Sequence, residues 1–137
     1  MSNKVAYIDS GVLINAFRGI DGVSIKATQA LDDSTCTFAS SVFVQLETLP
    51  KSHYNKQLLE VEFYNTFFDA VSVWAKDLNT IIKIADGIAK NYGLAAMDAL
   101  HIAAAISINA DEFLTTEKVT KPMHRVSEIR VISIASS

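Results

Sequence analysis

The stretch Val5-Ala6-Tyr7-Ile8-Asp9-Ser10-Gly11 constrains this chain more than any other. A short apolar run stops abruptly at a carboxylate, and a small-residue turn opens into Val12-Leu13-Ile14-Asn15-Ala16-Phe17. An apolar run of this length with a helix behind it reads as a strand buried on both faces of a parallel sheet. In such sheets ligands collect outside the carboxyl ends of the strands, near the point where strand order reverses. Asp9 sits where that rule looks for a functional group, and its partners must come from the rest of the chain.

Gly11 to Phe17 reads as a short helix ending near Gly19, with Asp21-Gly22 as the following turn. Val23, Ala27, Ala30 and Leu31 then form one apolar stripe at helical spacing. Cys36-Thr37-Phe38-Ala39 is a second strand, with Cys36 packed as a small hydrophobe. Ser40-Ser41 cap a helix that carries Glu47 and stops at Pro50. Both prolines, Pro50 and Pro122, are expected between elements. Tyr54 to Phe68 reads as one long helix whose apolar face, with Phe63, Tyr64, Phe67 and Phe68, is too wide for a single surface. Core packing and a protein interface account for that width equally well.

Ala70-Val71-Ser72-Val73-Trp74 is a third strand, in which Trp74 packs. Asp77 caps a helix with Leu78, Ile81, Ile82, Ala85, Ile88, Ala89 and Tyr92 on one face, and Gly93 ends it. Ala95 through Ile108 is apolar nearly all round, the mark of a helix packed on several sides. Asp98 falls on its Leu94, His101, Ile102 and Ala105 line, so it is expected not to point away from the core. A buried carboxylate must be hydrogen-bonded, paired or bound to a metal, and capping of the first turn is the simplest of these. His101, on the same apolar line, reads as a hydrogen-bonded core residue. Asn109-Ala110-Asp111 leads into a fourth strand, Glu112-Phe113-Leu114-Thr115, which ends at Thr116-Glu117-Lys118. Lys118, Lys121, His124 and Arg125 follow as a basic run that, taken alone, is a solvated loop. Arg130 to Ile134 is the last strand, and Ala135-Ser136-Ser137 a tail.

The 137 residues suit a single domain over 1–137, long enough to bury a real core. A formal net charge of -3 argues against coating nucleic acid by bulk charge, although a local basic patch stays open. The single cysteine, Cys36, excludes an internal disulfide and a thiolate zinc site, which points to a reducing, cytoplasmic setting. No stretch approaches the roughly 18 apolar residues of a membrane span. An acid follows only four apolar residues after Met1-Ser2-Asn3-Lys4, so a secretory signal is not expected.

Strands alternating with helices imply an α/β fold: three α/β/α layers around a mainly parallel central sheet of four to five strands. Crossovers bring the carboxyl ends of parallel strands to one edge, which places Asp9 and Glu117 there. Glu47 and Asp98, on helices that begin near this edge, can reach the same hollow. Two carboxylates about 5 Å apart repel by about 3 kcal/mol at an effective dielectric of about 20. Several such pairs would rival the roughly 5–15 kcal/mol that holds a domain together. Such a cluster must take up protons or bind a cation. Oxygen ligands, with no thiolate and no paired histidines, select Mg²⁺ or Mn²⁺. A divalent ion at a strand edge suits phosphodiester hydrolysis, with the basic run at 118–125 beside it to hold a nucleic-acid backbone.

Four segments in this order resemble the PIN-domain family: Asp9-Ser10 after a strand, Ser41 followed by Glu47, Met97-Asp98-Ala99-Leu100-His101-Ile102-Ala103, and Ala110 through Glu117. Each segment is short, and the ordered set carries the likeness over almost the whole chain. The resemblance implies a Mg²⁺- or Mn²⁺-dependent ribonuclease, often the toxin of a toxin–antitoxin pair of the VapC type and often a homodimer. It carries the catalytic acids onto Asp9, Glu47, Asp98 and Glu117, with metal ligation by Asp9, Asp98 and Glu117. It gives Ser10 and Thr115 supporting roles and leaves Lys118, Lys121 and Arg125 to hold RNA. The chain departs from the family at Glu117, where aspartate is usual, so weakened activity is one expected outcome. Asp111 reads as a turn or outer-shell residue. The competing function is a PIN-like interaction module with little or no nuclease activity. A haloacid-dehalogenase phosphatase would need a second acid where Gly11 stands, and a receiver domain an acid adjacent to Asp9; neither is present.

Overall fold

The structure, a computed structural model, describes residues 3–135. Met1, Ser2, Ser136 and Ser137, which include most of the expected tail, lie outside the described residues. Five strands form one sheet: β1 (Lys4–Ile8), β2 (Cys36–Ser41), β3 (Val73–Ala75), β4 (Glu112–Thr115) and β5 (Arg130–Ser133). Their order is β3-β2-β1-β4-β5, and every pairing is parallel. The chain builds outward from β1 to β3 and then returns to add β4 on the other side of β1. Strand order therefore reverses between β1 and β4, and the crevice at their carboxyl ends is where Asp9 projects.

Six helices cover the sheet: α1 (Ser10–Arg18), α2 (Gly22–Leu31), α3 (Val42–Tyr54), α4 (Leu58–Ala70), α5 (Leu78–Tyr92) and α6 (Ala96–Ser107). A single 3-10 turn spans Pro122–Arg125. Tyr7 and Phe113, neighbours in register, stack with ring centroids 5.3 Å apart and face α6. Phe38 faces the opposite layer, where it meets Phe67 of α4. This three-layer α/β/α arrangement is the one that the alternation of strands and helices implied.

Several helices start where short polar side chains satisfy free backbone donors. Asp9, Asp21, Ser41 and Asp77 cap α1, α2, α3 and α5, accepting from the amides of Ser10, Ser24, Phe43 and Thr80. The expected Asp21-Gly22 turn is thus a helix start. At the other end of α5, Gly93 takes the left-handed region (φ 70°) and its amide reaches the Ala89 carbonyl. Gly93→Ala must place a Cβ in that conformation, so it is expected to cost about 1 kcal/mol, or roughly 3 °C in Tm. A thermal melt checks this.

Pro50 lies inside α3 and does not end it. Its ring and Leu46, four residues earlier, are both exposed. The carbonyl that loses its amide partner there can turn to water, and the helix runs on. The break comes instead at Asn55-Lys56-Gln57, where Lys56 adopts φ 55°. The long helix expected from Tyr54 is therefore two elements: Tyr54 closes α3, and α4 begins at Leu58. Its wide apolar face divides between both readings, with Tyr64, Phe67 and Phe68 in the core while Leu58 and Leu59 remain exposed. β3 is shorter than expected, because Ala70 still belongs to α4 and only Val73–Ala75 pair with β2.

At the amino edge of the sheet Asp111 takes the turn reading and Cys36 is less buried than expected. Asp111 accepts the Val5 amide at 2.7 Å at the amino edge of the sheet, the far edge from Asp9, so it has no outer-shell role. Cys36 is half-buried at that same edge, with its Sγ 3.5 Å from Asp33 Oδ2.

Candidate functional site

A pocket of about 150 Å³ opens at the carboxyl ends of β1 and β4, with Asp9, Ser10, Glu47, Asp98, His101 and Glu117 on its walls. Each acid arrives on a different element. Asp9 is fixed as the residue between β1 and α1, where its Oδ1 accepts the Ser10 amide at 2.9 Å. Its Oδ2 accepts the Thr115 hydroxyl at 2.8 Å, across the crevice from the end of β4. The same Thr115 oxygen accepts the Glu117 amide at 3.1 Å, so one hydroxyl ties the two strand ends together. The α1 turn comes so close to β4 that a side chain at Gly11 would collide with the Thr116 hydroxyl.

Glu47 enters from the second turn of α3, where its Oε1 accepts Ser10 Oγ at 2.9 Å and lies 2.5 Å from His101 Nε2. Its side chain stays 36% exposed, which leaves the carboxylate open to a ligand. His101 is buried, and its Nδ1 lies 3.0 Å from the Tyr7 hydroxyl, which in turn lies 2.7 Å from Ser41 Oγ. Asp98 is half-buried on the pocket wall, and is neither in the core nor a cap, since Ala95 occupies the cap position of α6 without a side-chain bond. Ala99, Ile102 and Ala103 fill the core in its place. Beyond Glu117, Lys118, Lys121 and Arg125 are exposed, and His124 Nε2 donates to the Glu117 carbonyl at 3.0 Å.

The electrostatics suit a cation among these acids. Burial pushes the Asp9 carboxyl above its ordinary range, against the opposing pull of His101, Thr115 and Ser10. Asp98 is also raised, first by burial and then by the charge of Glu117. Glu47 is lowered, chiefly by its bond to His101. Two of the acids are thus uncomfortable as anions without a positive charge beside them. This oxygen-rich donor set fits a small divalent ion.

The family model for the PIN domain matches residues 6–126. The chain belongs to the PIN-domain family. Several solved structures superimpose on nearly all of it. One is a toxin–antitoxin complex from Klebsiella pneumoniae, 20% identical, with TM-score 0.72 over 94% of this chain and 97% of that one. Another is VapBC2 from Rickettsia felis bound to a DNA fragment from its promoter, 14% identical, with TM-score 0.69 over 94% and 98%. A third is FitAcB from Neisseria gonorrhoeae, 14% identical, with TM-score 0.69 over 95% and 98%. No curated protein matches by sequence.

Within this PIN domain the four sequence-selected acids line one pocket, where the Thr115 hydroxyl bonds Asp9 and the Ser10 hydroxyl bonds Glu47 and not Asp9. Sequence reasoning missed that the hydroxyls of Tyr7, read as part of an apolar strand, and Ser41, read as a helix cap, stand behind His101. It also missed Glu60, a buried carboxylate on α4 gripped by Arg18. This pair borders a second polar basin of about 170 Å³ that shares Ile14 and Glu47 with the acidic pocket.

Proposed function

We propose that this PIN domain is a Mg²⁺- or Mn²⁺-dependent endoribonuclease, and the toxin of a toxin–antitoxin pair. One observation carries the reading: Asp9, Glu47, Asp98 and Glu117, far apart in sequence, line a single pocket at the strand-order switch point. The PIN-domain resemblance assigns the ion to Asp9, Asp98 and Glu117, with Glu47 beside them as the fourth acid of the pocket. A divalent ion supplies an acidified water and offsets charge that builds on the phosphate. Thr115 keeps Asp9 and the Glu117 turn in one geometry, and the exposed Lys118, Lys121 and Arg125 would offer charge to a phosphate backbone. RNA is the substrate class that the PIN-domain resemblance implies.

Two exposed apolar faces support protein partners as well. One is a groove of about 410 Å³ lined by Phe17, Leu59 and Phe63, which we read as the seat of an antitoxin segment. Support comes from the toxin–antitoxin complexes among the structural neighbours. The other gathers Val42, Trp74 and Leu78 in a hollow of about 290 Å³, suited to a second copy in a homodimer. No helix among the described residues is long and apolar enough to cross a membrane. A cytoplasmic setting fits an RNA substrate.

The test is cleavage of single-stranded RNA by the purified protein with Mn²⁺. Internal cuts are expected that stop on chelation and fall by at least about a hundredfold in Asp98→Asn. Equal cleavage by both proteins would overturn the assignment. A wild type that binds a protein partner but cuts no RNA with either ion would favour the interaction module.

A further inference from the structure

The acidic pocket contains a donor that a carboxylate-only site does not use. We infer that His101 is itself a metal ligand, its Nε2 joining Asp9 and Glu47 in a mixed nitrogen–oxygen centre; this rests on the metal-dependent reading above. Ligand atoms of Asp9, Glu47 and His101 all lie within 4.8 Å of one another. Asp98 and Glu117 line the same pocket but do not join that close group among the described residues. The tightest set of donors thus includes an imidazole.

The surroundings of His101 are those that a ligating histidine needs. Metal-bound imidazoles have their other ring nitrogen held by a second group, which fixes the tautomer and aims the ring. Tyr7 performs that task from the sheet, 3.0 Å from Nδ1, with Ser41 Oγ 2.7 Å behind it. With Nδ1–H donating to Tyr7, the Tyr7 hydroxyl donates to Ser41 Oγ, which also accepts the Phe43 amide at 3.2 Å. In that tautomer Nε2 offers an ion the lone pair that, without one, is occupied by the proton it donates to Glu47 Oε1. The one contact to be exchanged is the 2.5 Å bond between Nε2 and Glu47 Oε1, which coordination by both atoms replaces. Ser10 Oγ donates to that same Oε1 and continues to fix the Glu47 carboxylate.

The ligand class follows from the donors. Mg²⁺ seeks oxygen in strict octahedral geometry, whereas an imidazole nitrogen suits Mn²⁺ and the later first-row ions. The site is therefore expected to prefer Mn²⁺ over Mg²⁺, by about tenfold or more. A merely structural His101 leaves the preference to the carboxylates, so that His101→Gln does not change the ratio of Mn²⁺ to Mg²⁺ affinity.

Electron spin-echo modulation on Mn²⁺ bound to the native protein reads the ligand directly. The expected result is coupling to one imidazole nitrogen, altered by selective ¹⁵N-histidine labelling and absent in His101→Gln. Tyr7→Phe, which keeps the ring stack and removes only the hydroxyl, is expected to weaken Mn²⁺ binding about tenfold or more. If His101→Gln does not fold, the labelling experiment on wild type still decides. Bound Mn²⁺ with no directly coordinated nitrogen would overturn the inference and leave the nuclease reading intact. Failure of the folded protein to bind Mn²⁺ at all would overturn both.

Discussion

Asp9→Asn is expected to end phosphodiester cleavage while making the metal-free protein more stable. Cleavage should fall on the order of a thousandfold, the usual cost of removing a preorganised charge from the reacting centre. The stability change has the opposite sign because the native Asp9 carboxyl is strained as an anion. Burial holds its pKa above the ordinary value, so the folded chain binds this proton more tightly than the unfolded chain. Between the ordinary aspartate value of about 3.9 and the raised native value, the folded state carries more protons, and stability falls as pH rises. Asparagine removes that loss and keeps one of the two acceptors that Asp9 offers to Ser10 and Thr115.

The gap between variant and wild type should accordingly open as pH climbs through that window and stay constant below it. Melting curves across pH without metal measure the gap. Mn²⁺ should then reverse the ranking. Wild type gains stability by mass action, about 2.7 kcal/mol at a hundredfold excess over Kd, and the variant gains far less. A variant that is less stable than wild type at every pH, and equally stabilised by Mn²⁺, would mean that Asp9 is only the cap of α1.

Some of this site is legible in the sequence alone. Val5-Ala6-Tyr7-Ile8-Asp9 announced a buried strand ending in an acid, because a parallel strand covered on both faces has no polar alternation to hide its limits. The α5 helix was equally plain, since Asp77, the Ile81–Ile88 face and Gly93 all point to the same start, face and stop. What stayed hidden depends on partners distant in sequence. Tyr7 belongs to an apolar run, and only the fold shows that its hydroxyl meets His101, 94 residues away. The His101 line could be read as apolar, yet periodicity does not say that one end of that line opens into a pocket. Asp98 was placed inward for the same reason. Asp111 lay beside acids that matter, but it is at the amino end of its strand, and one strand length separates it from the site. Pro50 misled because the rule against proline in helices is a rule about an unsatisfied carbonyl, and here that carbonyl can face water.

Glu60 is the polar group that sequence reading passed over entirely, and Arg18→Met is expected to be among the most destabilising single changes outside the core. The Glu60 side chain is 4% exposed, while that of Arg18 is 51% exposed. Arg18 Nε lies 2.9 and 3.0 Å from the two carboxylate oxygens, and Nη2 lies 2.8 Å from Oε2. Ser52 and Tyr64 add hydroxyl donors at 3.1 and 2.6 Å. Burial alone would raise the Glu60 pKa; Arg18, then Tyr64 and Ser52, outweigh it and hold the group below its ordinary range. Losing the guanidinium leaves a buried carboxylate with only two neutral donors. Removing one partner of a fully buried pair costs about 3–5 kcal/mol, and the solvent-facing side of Arg18 lowers that to about 2–3 kcal/mol. For a chain of this size the loss corresponds to about 6–9 °C in Tm. The sign with pH identifies the cause. A depressed native pKa contributes stability above the unfolded value near 4.3, lost as pH falls through the native value. Wild type and Arg18→Met should therefore converge on acidification. Adding Glu60→Gln to Arg18→Met should recover much of the loss at neutral pH, because a neutral amide needs no counter-charge. A double variant as unstable as the single one would place the cost in lost packing of the Arg18 stem against α4, and not in the stranded carboxylate.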